Sequence, residues 1–275
     1  MSSPALSNNP AFSSRTLTSA ELEKLYNTPA AEKTVQQDPS RPAPTAAEVL
    51  GGASDPMTIE NTIQKTVGLF AILLTTAVVG WIFPAVSLPA ALVALVLGLV
   101  IGFRKKISPG LIMAYAAIEG LFVGGISRIF EGAYSGIIFQ ALLGTLVVVA
   151  VTLILFRSGK VRTSPRMNKI VMIAILSYLA FSLINLALVW TGAMSDPWGL
   201  RGIEIFGIPL GVIIGLLAIG LAAYTLVGDF EFIANGERNR LPKIYGWQAA
   251  WGLMVTIVWI YVEILRLIAI LRSQD

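Results

Sequence analysis

The sequence predicts an all-α membrane protein, a seven-transmembrane-helix bundle preceded by a disordered N-terminal tail. Of its 275 residues, 55% are hydrophobic and only 13% charged, roughly half the charged fraction of an average soluble domain. Mean hydropathy is +0.75, which implies more apolar surface than a soluble fold of this length can hide. The apolar residues gather into runs long enough to cross a bilayer, and the cations gather between alternate runs.

Residues 1–60 are rich in Ser, Pro, Ala and Thr and lack an apolar block, so this segment cannot bury enough surface to order itself and reads as a cytoplasmic tail. It shows neither the basic start nor the apolar stretch of a secretory signal. Within it, Thr18-Ser19-Ala20-Glu21 precedes Leu22 and Leu25, a capping box that predicts a short helix near 18–26. Residues 61–275 form the expected membrane domain. A helix needs about 20 residues to cross the hydrocarbon. Seven runs qualify, at about 64–83, 88–103, 109–130, 136–156, 169–191, 205–233 and 246–271. The second follows closely on the first across Pro84 and Pro89, so those two are expected to form a tight hairpin. No internal repeat is evident, which weighs against an inverted-repeat transporter.

Loop charges orient the spans. Arg104, Lys105 and Lys106 follow the second, Arg157, Lys160, Arg162, Arg166 and Lys169 follow the fourth, and Arg238, Arg240 and Lys243 follow the sixth. The loop after the first has no cation and the loop after the fifth has Arg201 alone. The positive-inside rule therefore places the N-terminus in the cytoplasm and the C-terminus outside a cell inner (plasma) membrane. Gly98 and Gly102, Gly120 and Gly124, and Gly211 and Gly215 have the spacing that lets helices approach closely, and they predict a compact bundle.

Ionisable residues inside the spans are the candidate functional groups, because a charge at mid-membrane costs about 2.5–3.5 kcal/mol. Glu119 in PGLIMAYAAIEGLFVGGISRIF falls near the midplane of the third span. Arg128, near that span's outer end, is expected to snorkel. In the seventh, Glu263 and Arg266 stand at i and i+3 on one face, so Arg266 is a candidate charge partner for Glu263. GDFEF, residues 228–232, puts two acids near the end of the sixth. Successive helical residues turn about 100°, so Asp229 and Glu231 cannot both face the core. Asp229 is the deeper and the expected inward residue. The alternative is that the helix emerges there and both acids meet Arg238 and Arg240.

The composition excludes several chemistries. With no Cys and no His, there is no disulfide, thiol nucleophile or imidazole base, and proton chemistry falls to carboxylates. The isoelectric point near 9.4 comes from dispersed loop cations rather than a basic face, so no nucleic-acid partner is expected. Leu226 stands where an aspartyl intramembrane protease needs its first Gly, and the seventh span has no Lys for a Schiff base. The protein is not expected to be an enzyme, to need a cofactor, or to hold a metal at high affinity.

AAIEGLFVGGIS in the third span, AAYTLVGDFEFI in the sixth and IYVEILRLI in the seventh together resemble the Bax inhibitor-1 family, also called the transmembrane Bax-inhibitor-motif or YccA/YetJ-like family. The resemblance runs over residues 58–271, and the ending IYGWQAAWGLMVTIVWIYVEILRL is similar to a bacterial branch. It implies a bundle with the seventh helix at its centre. It also implies a pH-sensitive leak channel or exchanger for cations, calcium foremost and weakly bound. Two acids on the sixth and seventh helices would share a proton, Asp229 and Glu263 by position, with Glu119 and Glu231 as further ion- or proton-coupling candidates. The sequence departs from the family pattern in having Glu rather than Asp at 263, in Arg266, and in an uncharged second span. Counted from the loop between them, Asp229 and Glu263 differ in depth by about 15 Å. The other reading is a non-transporting scaffold that binds and regulates membrane proteins.

Overall fold

A computed structural model describes residues 55–104 and 106–274. The helix expected at 18–26, the tail up to residue 54 and Lys105 lie outside the described residues. Among the described residues seven long helices follow one another: α1 (Ile59–Ile82), α2 (Ser87–Phe103), α3 (Pro109–Ala133), α4 (Ile137–Arg157), α5 (Pro165–Trp190), α6 (Leu210–Arg238) and α7 (Tyr245–Arg272). All are long and apolar enough to cross a membrane, and the protein is a multi-pass membrane protein.

Their starts follow local chemistry. Thr58 caps α1, its hydroxyl accepting from the Asn61 N–H at 3.1 Å. Ser164 caps α5, accepting from the Met167 N–H at 3.3 Å, and Pro165 fills the first helical position, where a missing N–H costs nothing. A single 3₁₀ turn, Pro84–Val86, joins α1 to α2, the tight hairpin that the paired prolines predict.

The sixth helix departs from expectation at both ends. Residues 205–209, assigned to the span by their apolarity, instead belong to a two-stranded hairpin, β1 (Glu204–Ile205) against β2 (Ile208–Pro209). Phe206 and Gly207 at its tip take φ of 54° and 77°, a left-handed pair that makes a tight turn rather than a helix. At the other end α6 runs on to Arg238, five residues past the expected 233, so Asp229 lies deeper in the helix than its sequence position suggests.

α7 occupies the centre. Of its most apolar stretch 61% is buried, against 6% for α5. Met254, Ile260, Leu265 and Ala269 are fully enclosed on different sides of α7. The peripheral helices carry an outward belt of exposed apolar side chains, such as Leu74, Leu146, Ile154, Ile173 and Leu216, which is the surface that meets lipid.

The α1–α3 crossing uses the small residues directly. A Cβ on Gly120 would fall 2.2 Å from the Leu73 carbonyl oxygen, and one on Gly124 only 1.9 Å from that of Ala77. Both obstacles are backbone, so neither can rotate away. Gly120→Ala is therefore expected to destabilise the bundle by about 1–3 kcal/mol, read as a lowered unfolding midpoint in detergent. Gly102, which faces open space, serves as the control. Gly102→Ala is expected to leave the midpoint unchanged or raise it slightly.

Candidate functional site

On the basic side of the bundle, where the α2–α3, α4–α5 and α6–α7 loops lie, α6 presents its two acids in different directions. Asp229 turns toward α7, where the Thr256 hydroxyl donates to Asp229 Oδ2 at 2.7 Å. A Cβ on Gly252 would come within 3.0 Å of Asp229 Oδ1, so the glycine leaves room for the carboxylate. Glu231 turns toward the α4–α5 loop. Its Oε1 accepts from the Thr163 N–H at 3.0 Å and its Oε2 accepts from the Thr163 hydroxyl. Asp229 is thus the inward residue of the pair, as helical geometry requires. Neither carboxylate forms a salt bridge with Arg238 or Arg240 among the described residues.

Asp229 stands at one end of an open cavity of about 400 Å³ between α5 and α6, whose outer rim carries the exposed Met172 and Leu176. The cavity extends from Thr163 and Asn168, at the basic-side start of α5, past Val171, Ile175 and Thr225. Its mouth is tied by Tyr224, whose hydroxyl donates to Asn168 Oδ1 at 2.7 Å and accepts from the Ser164 N–H at 3.1 Å. The walls are largely apolar. Asp229 is the one carboxylate that lines it among the described residues.

Glu263 has a different environment. It is 2% exposed, and its Oε1 accepts from Arg266 Nη1 at 2.5 Å and from the Tyr178 hydroxyl of α5. The same phenol oxygen accepts from Arg266 Nη1 at 2.9 Å and from Arg201 Nη2 at 3.1 Å. Arg201 is only 3% exposed, although it comes from the loop after α5. Its Nη2 also donates to Ser182 Oγ at 2.9 Å. Its guanidinium lies 5.4 Å from the Tyr178 ring centre and 5.5 Å from that of Phe181.

Glu119 on α3 is buried, one turn beyond Tyr115. Tyr115 packs edge-on against Trp251 of α7, with ring centres 5.9 Å apart. No salt bridge reaches Glu119 among the described residues. Arg128 is exposed near the end of α3, where its guanidinium lies over the Trp81 ring, 5.2 Å from the ring centre, a cation–π contact.

The chain matches a family model described as Bax inhibitor 1 like over residues 5–273. It belongs to the Bax inhibitor 1-like family. A comparison with curated proteins returns no match. The family assignment supports the seven-helix bundle and leaves the chemistry of the buried acids to be argued from their surroundings.

Within this family member, the structure does not bring Asp229 and Glu263 together. Asp229 faces Gly252 and Thr256, and Glu263 lies seven residues beyond Thr256 on α7, about 10 Å along the helix axis. The cause is register. The place on α7 opposite Asp229 holds a hydroxyl, and the carboxylate of α7 is committed to the arginine one turn beyond it. Of the sequence candidates, the structure pairs Glu263 with Arg266 and gives Asp229, Glu231 and Glu119 separate surroundings. Sequence reasoning missed Thr256, Thr163, Tyr178 and the buried position of Arg201. Polar residues at 178 and 256 inside apolar spans were the available signal. So was a lone cation in a loop that the positive-inside rule leaves empty.

Proposed function

We propose that this protein conducts cations, calcium foremost, across the bacterial inner membrane through the α5–α6 cavity, with Asp229 as the carboxylate at which cation and proton compete. The observation that carries this reading is the contrast between the buried Glu263 and the half-buried Asp229. Glu263 has a guanidinium on it, whereas Asp229 has only the Thr256 hydroxyl and an adjoining cavity of about 400 Å³. A carboxylate without a counter-ion in a low-dielectric wall is satisfied by a proton or by a metal ion. Calcium takes oxygen ligands, which carboxylate, hydroxyl and water supply. One carboxylate and one hydroxyl make a weak site, and conduction requires an ion that can leave.

In this reading the basic side faces the cytoplasm and the C-terminus lies outside, by the distribution of loop cations. No enzymatic step and no cofactor is involved. The domain that conducts spans residues 61–275, and Glu231 serves the path by fixing the α4–α5 loop at its mouth.

Purified protein in calcium-free liposomes loaded with a calcium dye is the direct test. Wild-type protein is expected to admit calcium, and Asp229→Asn to admit it at least about tenfold more slowly, the effect of removing a ligand charge worth about 1.4 kcal/mol or more. Wild-type vesicles no leakier than protein-free ones would overturn the reading and favour a scaffold that binds other membrane proteins.

A further inference from the structure

We propose that Arg201, seated on Tyr178 beside the Glu263–Arg266 pair, is the gate residue that bars cations from passing between the Asp229 cavity and the side opposite the basic loops. The proposal rests on the path described above and adds its closed end.

Two helical stripes define the route. On α7, Gly252, Thr256, Trp259, Glu263 and Arg266 recur at spacings of four, three, four and three, so they share one face. On α5, Val171, Ile175, Tyr178 and Ser182 do the same. Val171 and Ile175 line the Asp229 cavity, and Tyr178 and Ser182 hold Arg201. Beyond Asp229 and Thr256, the next polar groups along this seam are therefore Tyr178 and Glu263, then the guanidiniums of Arg201 and Arg266.

The charge of that cluster is unbalanced. Glu263 answers one guanidinium, and no salt bridge reaches Arg201 among the described residues. The nearby acid, Asp196, instead accepts from the Trp198 N–H at 2.7 Å and folds its own loop. Arg201 Nη1 is buried without a hydrogen-bond partner. A net positive charge enclosed by apolar helices repels an approaching cation far more strongly than it would in water, and arginines bar cations from membrane pores on this principle.

The cluster also fastens a lightly held helix. α5 buries the smallest share of its apolar stretch among the seven helices. From its middle to its far end it is tied by Tyr178, by Ser182 and by Asn185, whose Oδ1 accepts from the Leu200 N–H at 2.7 Å. Arg201 thus both carries the barrier charge and closes α5 onto α7.

The chain has no Cys, so Thr225→Cys places a single thiol in the Asp229 cavity. In liposomes, a membrane-impermeant cationic thiol reagent is expected to label it from the basic side and not from the other. Adding Arg201→Gln is expected to raise labelling from the opposite side roughly tenfold or more, the range by which a single-sign charged passage alters access rates. Arg201→Lys should restore the barrier. If Arg201→Gln does not yield folded protein, Tyr178→Phe combined with Ser182→Ala, which removes both hydroxyls that hold the Arg201 guanidinium in its seat, is expected to give the same opening. Unchanged opposite-side labelling with Arg201→Gln, or with the paired Tyr178→Phe and Ser182→Ala changes, would overturn the proposal. So would rapid labelling from that side with Arg201 intact. The assay reads access rather than calcium flux, so a protein that conducts no calcium sinks the transport reading and leaves the gate to be judged on its own.

Discussion

Arg266→Leu is expected to lower stability by about 3–5 kcal/mol, the cost of stranding a charge after its buried partner is removed. Glu263 is 2% exposed, its Oε2 has no hydrogen-bond partner, and its Oε1 meets Arg266 and Tyr178. Without the guanidinium, a carboxylate wedged in the central helix keeps only the phenol. The double replacement Glu263→Gln with Arg266→Met removes both charges and keeps the bulk, so it is expected to recover most of the loss, because well-packed neutral substitutes for buried pairs are often neutral in stability. Unfolding in mixed micelles, followed by circular dichroism against denaturant, measures both variants. A single mutant as stable as the double would show that Glu263 finds another partner or is not charged in the folded protein.

That ion pair was legible in the sequence because it is local. Glu263 and Arg266 are three residues apart, and helix geometry alone places them together. The spans and the cationic loops were legible for a related reason, since hydropathy and loop charge are properties of contiguous segments. The centrality of α7 was not a matter of composition, for α2 and α4 are more apolar stretches and lie outside; the expectation came from family resemblance, and the burial of α7 agrees with it. What the sequence hid were pairings between helices. Whether Asp229 meets Glu263 or Thr256 depends on how far α6 and α7 slide past one another, and a shift of two turns changes the partner. The extension of α6 to Arg238 sets Asp229 deeper and narrows the depth difference that counting residues gives, without closing it. Arg201 was obscured in the same way, because a loop residue gives no sign in one dimension that its side chain turns back among helices.

The calcium flux proposed here is expected to fall as pH falls, and Asp229 is expected to carry that dependence. The sign follows from competition. A proton on the Asp229 carboxylate removes the negative charge that draws a cation into the cavity and occupies an oxygen the cation needs. Above the titration of Asp229 the carboxylate is charged and the path is conductive, and below it the path is closed. Asp229→Asn fixes the closed charge state while keeping a group that can accept from Thr256. Its residual flux should therefore be low and flat between mildly acidic and mildly alkaline buffers. Glu263 should behave differently, because Arg266 already holds its carboxylate as an ion pair. The neutral pair Glu263→Gln with Arg266→Met is expected to keep the pH dependence of the wild type even if the amplitude changes. Proteoliposome flux measured across that pH range in the three proteins separates the acids. A flat profile in the neutral-pair variant and a preserved slope in Asp229→Asn would move the proton to Glu263 and reverse the assignment made from their surroundings.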